Sequence, residues 1–125
     1  MPEERFGSYL KALRLAQGLG LRAFAEKIGM FPSNLSDIEH GKKAPPKGPD
    51  KLAQMAAALG ITRGSKEWSK LHDLSVKDTP EKLPPDLVAY AQKSEGIPFL
   101  LRTAAQKKLS RGDLERLVKT ITEKF

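Results

Sequence analysis

The sequence predicts an all-α protein with a five-helix N-terminal domain and a helical C-terminal extension. Apolar residues recur at spacings of three and four along most of the chain, which is the period of an amphipathic helix. Serine, proline and glycine stand where these apolar stripes begin and end, as they do at helix termini. Residues 21–40 form the most informative segment, because two short helices joined by a tight glycine-containing turn are predicted there.

The first two predicted helices are short and amphipathic. Residues 3–17 form the first, and its apolar face comprises Phe6, Leu10 and Leu13. The second carries apolar residues at i, i+3, i+4 and i+7, namely Leu21, Phe24, Ala25 and Ile28. Gly29 follows at once, where a chain leaving a helix often needs a residue of left-handed conformation. Ala25 is small at the point where the next helix is expected to cross closely.

The third predicted helix begins at Pro32, since proline lacks the N–H that would be unpaired in a first turn. Leu35 and Ile38 lie three residues apart and face inward. The polar residues around them then face outward: Ser33, Asn34, Ser36 and Asp37. Two helices that cross at roughly 90–120° around a turn of about three or four residues form the motif that places its second helix in the major groove of DNA.

Two more helices complete a predicted N-terminal domain of residues 1–74. The fourth covers residues 50–59, with Asp50 as its N-cap. The fifth covers residues 65–74 and is capped by Ser65. The five helices in this order and spacing predict a small domain built around the helix pair.

Residues 6–61 resemble the Cro/CI (XRE) family of five-helix DNA-binding domains. The most specific segments of the resemblance are LRAFAEKIG, NLSDIEHGKK and LAQMAAALGI. The resemblance implies a lambda-repressor-like fold and a helix-turn-helix regulator of transcription.

The resemblance also implies which residues contact DNA. Arg22, near the start of the second helix, would meet a phosphate. The third helix would present five residues to base edges: Pro32, Ser33, Asn34, Ser36 and Asp37. The loop that follows would hold the DNA backbone through three lysines, namely Lys42, Lys43 and Lys47.

In this family an arginine of the first helix commonly pairs with a glutamate near the end of the third. The matching residues here are Arg14 and Glu39. A partly buried arginine–carboxylate pair can be bidentate and can fix the angle between two helices. The alternative is two solvated surface charges that contribute little to stability.

Two positions depart from the family pattern. Phe31 stands where Ser or Thr usually caps the third helix, so a capping contact worth roughly 0.5–2 kcal/mol is missing. Asp37 occupies an outward position that more often carries Arg, Lys or Gln; a carboxylate cannot donate to guanine, although it can accept from cytosine N4. Affinity for DNA is therefore expected to depend on Arg22, Lys42 and Lys43 and on dimerisation.

The charge distribution favours a polyanionic partner. The chain of 125 residues has a net charge of +7. Residues 1–70 hold twelve Lys and Arg against seven Asp and Glu, whereas residues 71–125 hold ten against eight, so the excess lies with the predicted motif. A basic protein without a nucleic-acid partner stays open as an alternative.

Several classes of site find no support in the sequence. The chain has no cysteine, which excludes disulfides, thiolate zinc sites and thiol nucleophiles. His40 and His72 are far apart and stand in no catalytic motif. We therefore expect no enzyme activity, no catalytic residue, no metal and no cofactor. No segment predicts a signal peptide or a membrane span, which favours the cytoplasm.

The C-terminal part is predicted as a polar, proline-rich linker of residues 75–85 and a helical extension of residues 86–125. In the last helix Ser110 and Asp113 have the spacing of a capping box. Its apolar stripe comprises Leu114, Leu117, Val118, Ile121 and Phe125. Helices this short would pack on a second copy, on a protein partner or on the first five helices, and a second copy is favoured because two half-sites require a dimer.

The sequence thus predicts a homodimeric repressor that binds double-stranded DNA at its own or a neighbouring operon. One alternative is an antitoxin-like adaptor whose C-terminal helices bind an operon-encoded protein partner, since tails of this form resemble those in toxin–antitoxin modules. Another alternative is a nucleic-acid-associated protein without sequence preference.

Overall fold

The computed structural model describes residues 4–77 and 83–125, and these ranges contain eight α-helices. The helices are α1 Phe6–Ala16, α2 Leu21–Lys27, α3 Pro32–Glu39, α4 Pro49–Ala58, α5 Lys66–Ser75, α6 Pro85–Lys93, α7 Gly96–Gln106 and α8 Arg111–Lys124. The chain divides into two compact units, Met1–Val88 and Ala89–Phe125. The predicted all-α fold, with five helices followed by a helical extension, is confirmed.

The first unit packs the apolar faces of α1 to α5 into one core. α3 contacts both α1 and α2, while α5 contacts α1 and α4. The buried apolar residues of the core are Phe6, Tyr9, Leu10, Phe24, Ala25, Ile28, Leu35, Ile38, Leu52, Met55, Ala56, Leu59, Trp68 and Leu71. The predicted inward-facing residues of the helix-turn-helix segment all lie in this core or pack against it.

The turn between α2 and α3 has the predicted left-handed residue. Gly29 has a φ of +62°. Its N–H donates to the carbonyl of Glu26 at 3.2 Å, and the N–H of Met30 donates to the carbonyl of Ala25 at 2.9 Å. These two hydrogen bonds form a Schellman motif, which satisfies the last carbonyls of α2 and turns Met30 toward the core.

Two helices of the first unit begin at residues other than those predicted. α1 begins at Phe6, not at residue 3, and Arg5 is its N-cap. α4 begins at Pro49, and its N-cap is Gly48 and not Asp50. Proline at the first helical position already has the φ of a helix and needs no N–H partner, so the helix starts one residue earlier. Asp50 lies in the first turn instead, where its charge is favourable toward the helix dipole.

The second compact unit contains α7 and α8. α7 begins at Gly96, within the range that was predicted as a helical extension. α8 has the predicted capping box, because Ser110 Oγ accepts from the N–H of Asp113 at 3.2 Å and Asp113 Oδ2 accepts from the N–H of Ser110 at 2.9 Å. The hydrogen bonds that the N–H and the hydroxyl of Ser110 donate to the Asp113 carboxylate, together with an ion pair with Arg116, lower the pKa of Asp113.

The predicted linker, residues 75–85, is only partly described. Its middle, residues 78–82, lies outside the described residues. Ser75 is the last residue of α5 and Pro85 the first of α6. Within the described ranges, none of the helices has both the length and the apolar character needed to cross a membrane.

Candidate nucleic-acid interface

The outward face of α3 carries the residues that the sequence assigns to base contacts. α3 starts at Pro32, and its Leu35 and Ile38 are buried in the core. Around these two anchors Ser33 is exposed, while three other polar residues are half-buried: Asn34, Ser36 and Asp37. The spacing of the two anchors therefore leaves a polar face turned away from the core.

Phe31 stands at the N-cap of α3 and makes no side-chain capping hydrogen bond, as the sequence predicts. Its ring is 76% exposed. An exposed aromatic ring thus adjoins the first turn of α3.

A second Schellman motif ends α3 and directs the following loop. Gly41 has a φ of +75°, and its N–H donates to the carbonyl of Ile38 at 3.2 Å. The carbonyl of Asp37 accepts from the N–H of Lys42 at 2.8 Å and from the N–H of Lys43 at 3.2 Å. The chain therefore turns back beside α3 and does not continue away from it.

This turn brings Lys43 onto the outward face of α3. Lys43 Nζ donates a hydrogen bond to Asn34 Oδ1 and lies 3.7 Å from Asp37 Oδ2. All three side chains remain in contact with solvent. The sequence assigns Lys43 to the DNA backbone, but the structure places its ammonium among the side chains that are assigned to the bases.

Ser36 and His40 form a second contact on the same helix. His40 Nδ1 lies 2.7 Å from the carbonyl of Ser36 and 3.3 Å from its Oγ. A ring nitrogen at this distance from a carbonyl oxygen must carry the proton and donate it. His40 is thereby folded back on the last turn of α3.

The other predicted phosphate contacts are exposed cations. Arg22 lies in the first turn of α2, and Lys42 and Lys47 lie in the loop between α3 and α4. Within the described residues, the side chain of Lys42 has no hydrogen bond or ion pair. These side chains are available to anions in solution.

Arg14 and Glu39 lie together behind this face. Arg14 Nε donates to Glu39 Oε2 at 2.8 Å, and Arg14 Nη2 donates to Glu39 Oε1 at 3.0 Å. The side chains are 8% and 1% exposed. The hydrogen bonds to Glu39 raise the pKa of Arg14 despite its burial.

Gly7 allows α1 and α3 to approach each other closely, and the sequence interpretation did not single it out. A Cβ atom at Gly7 would lie 2.3 Å from the carbonyl oxygen of Ile38 and 2.6 Å from that of Glu39. The sequence does carry a signal for this close approach, because Gly7 follows Phe6 inside an amphipathic helix. Glycine destabilises a helix interior, so its presence there points to a packing reason.

Lys51 of α4 is a further residue that the sequence did not identify. Its Nζ donates to the carbonyl of Ile28 at 2.7 Å, at the C-terminal end of α2. A cation at that end of a helix is favourable.

Among the described residues, no three His, Asp or Glu side chains are grouped in a way that could hold a metal ion.

The chain is similar to known proteins at two levels, a family model and a solved structure. A family model described as a helix-turn-helix domain matches residues 5–67, a range that contains α1 to α4 and the start of α5. No curated protein matches the chain. Among solved structures, the chain is similar to the crystal structure of the clp gene regulator ClgR from C. glutamicum, with 26% sequence identity and a TM-score of 0.46. That similarity covers 63% of this chain and 96% of the other.

Proposed function

Because the chain belongs to the helix-turn-helix domain family, we propose that it binds double-stranded DNA with α3 in the major groove and represses its own or a neighbouring operon. The observation that supports this proposal is the outward polar face of α3, held by a buried core on one side and bordered by exposed cations on the other. The net charge of +7, of which residues 1–70 carry +5, favours the same partner.

The proposed contacts fall into two classes. Side chains on α3 would contact base edges: Pro32, Ser33, Asn34, Ser36 and Asp37. Exposed cations around α3 would contact phosphates: Arg22, Lys42 and Lys47. Phosphate contacts orient the protein and provide affinity that depends on salt, whereas base contacts provide sequence preference. The buried pair of Arg14 and Glu39 would hold α3 at the angle that the groove requires.

We propose that the active form is a homodimer that uses the apolar stripe of α8. The stripe comprises Leu114, Leu117, Val118, Ile121 and Phe125, and each of these side chains is at least 40% exposed. An operator with two half-sites requires two copies of α3, and two-fold dimers are the commonest oligomers.

The same exposed stripe supports the second candidate, an antitoxin-like adaptor. In that case α8 would bind an operon-encoded protein and DNA binding would be secondary. A stoichiometric complex with a protein from the same operon would favour the adaptor over the homodimer, provided that substitutions in this stripe, within residues 84–125, abolish the complex.

The proposed repressor function is tested by measuring affinity for the DNA upstream of its own gene and for a random duplex over a salt series. Lys42→Ala should weaken binding to both duplexes and reduce the salt slope by about one, because it removes one phosphate contact. Asn34→Ala should weaken binding at one base position by about 1–3 kcal/mol. Lys124→Ala, at the end of α8, is the control that removes a charge far from α3 in sequence. Equal affinity of the unmodified protein for the two duplexes would contradict a sequence-specific repressor.

A further inference from the structure

We propose that Lys43 is a base-contacting residue and that, together with Asp37, it specifies one guanine–cytosine pair of the operator. The inference rests on the proposed function as a DNA-binding protein and adds a residue that determines its specificity. It follows from where the loop after α3 places the Lys43 ammonium.

The position of Lys43 is fixed by backbone and side-chain contacts together. The N–H of Lys43 donates to the carbonyl of Asp37 at 3.2 Å, so its main chain is attached to the last turn of α3. From there its side chain extends toward the helix N-terminus and donates to Asn34 Oδ1, while its Nζ stays 3.7 Å from Asp37 Oδ2. Asn34 and Asp37 are one turn apart, and the ammonium therefore lies over the outward face of the helix.

Lys43 provides the cationic donor that the outward face of α3 lacks. The outward residues of α3 are neutral or, at Asp37, anionic, and none of them is a cation. An ammonium has three N–H donors. One of them is used by Asn34 and one is directed at Asp37, which leaves one donor for a base edge. Guanine offers O6 and N7 as acceptors in the major groove, and lysine is one of the two residues that most often contact them.

Asp37 and Lys43 are complementary to a single base pair as a unit. Guanine O6 is an acceptor and the N4 amine of its cytosine partner is a donor. The lysine ammonium is a donor and the carboxylate beside it is an acceptor. The half-exposed side chains of Lys43 and Asp37 thus place a donor opposite the guanine acceptor and an acceptor opposite the cytosine donor.

A phosphate role for Lys43 is less consistent with the structure. If the ammonium moved to a phosphate, the Asp37 carboxylate would face the polyanion without a neighbouring cation, and this repulsion is unfavourable. Lys42 has no such partner within the described residues, and it fits a phosphate contact better. We therefore expect Lys42 to contact a phosphate and Lys43 to contact a base.

The test compares Lys43→Met with Lys42→Met, since both remove one charge from the same loop. Affinities are measured for a high-affinity upstream duplex and for a set of duplexes with single base-pair substitutions, each over a salt series. Lys43→Met should lose about tenfold or more in discrimination at one guanine–cytosine position and keep the salt slope. Lys42→Met should keep all discrimination and lower the slope by about one. An equal loss on every duplex with a lower slope for Lys43→Met would overturn the proposal.

Two more variants test the pairing with Asp37. Asp37→Ala should lose discrimination at the same base pair as Lys43→Met, because it removes the acceptor for cytosine N4, and Lys43→Arg should retain the preference for guanine because arginine also donates to O6 and N7. Loss at different base pairs would overturn the joint role. If the unmodified protein discriminates and Lys43→Met discriminates equally well, only the role of Lys43 is wrong. If the unmodified protein binds no duplex in preference to random DNA, the proposed function is wrong and this inference with it.

Discussion

Arg14 and Glu39 form a buried bidentate ion pair that joins α1 to the last turn of α3. Arg14 Nη1 also donates to the carbonyl of Leu19 at 2.9 Å, in the turn that precedes α2. One guanidinium therefore holds three segments of the first unit. This contact, together with the burial of Leu35 and Ile38, sets the orientation of the outward face of α3.

Removing one partner of this pair is expected to be costly. Glu39→Ala should lower the free energy of unfolding by about 3–5 kcal/mol, because it leaves a buried guanidinium charge without its counter-ion. Urea denaturation measures the effect. Arg14→Met combined with Glu39→Met should recover much of the loss, since it removes both buried charges. Glu4→Ala, which removes the half-exposed ion pair with Lys70, is the control and should cost less than about 1 kcal/mol. Similar losses for Glu39→Ala and Glu4→Ala would contradict the role of the buried pair.

Gly7→Ala should destabilise the protein although alanine is the better helix former. The added Cβ would meet backbone oxygen atoms of α3 at 2.3 and 2.6 Å, and backbone cannot move aside as a flexible side chain can. The expected loss is at least about 1–3 kcal/mol, the usual cost of an overpacked contact. Gly112→Ala is the matched control, because its Cβ would meet only Ser110 Oγ at 3.8 Å within α8. Thermal denaturation of both variants measures the difference in stability. An unchanged melting temperature for Gly7→Ala would exclude a close crossing of α1 and α3.

The scaffold of the helix-turn-helix segment was predictable because its signals are local. The spacing of Leu35 and Ile38, the proline at the start of α3 and the left-handed Gly29 depend only on residues a few positions away. The family resemblance rests on three segments within residues 6–61 and is confirmed by the match over residues 5–67. The position of Lys43 could not be predicted in the same way, since it depends on the turn that Gly41 makes and on a contact nine residues back in the chain.

The end of the first unit also depends on a contact that is distant in sequence. Trp68 Nε1 donates to Asp86 Oδ2 at 2.8 Å, so the first turn of α6 lies against α5. The sequence predicted a helical extension from residue 86 onward but carried no information about what its first helix packs on. The compact first unit accordingly extends to Val88.

Phe31→Ser should stabilise α3 by about 0.5–2 kcal/mol. Serine at the N-cap can accept from a free N–H of the first turn, a contact that phenylalanine cannot make, and the 76% exposed ring gives up little buried surface. Phe31→Ala removes the ring without adding a cap and is the matched control. Chemical denaturation of the two variants isolates the capping contribution, and equal stability of serine and alanine at this position would show that no cap forms.

Asp73→Asn should stabilise the protein at neutral pH. Burial and repulsion from Asp86 raise the pKa of the Asp73 carboxyl above its ordinary value of 3.8, and a smaller effect of His72 opposes this rise. A raised carboxyl pKa means that the folded state binds the proton more tightly, so stability falls as pH rises between the ordinary and the raised value. The difference in unfolding free energy between the variant and the unmodified protein should therefore grow through that window and then level off. A difference that is the same at pH 3 and at pH 7 would contradict the raised pKa.

Val118→Lys should convert the proposed homodimer to a monomer. Val118 is 63% exposed in the middle of the α8 stripe, and a lysine there would place a charge in an apolar interface, where it could not be hydrated. Thr120→Lys is the control, because it adds the same charge on another side of α8. There the hydroxyl of Thr120 donates to the carbonyl of Arg116 in the same helix. Sedimentation equilibrium should give the mass of two chains for the unmodified protein and for Thr120→Lys, and of one chain for Val118→Lys. A dimer that persists in Val118→Lys would show that the two copies associate through another surface.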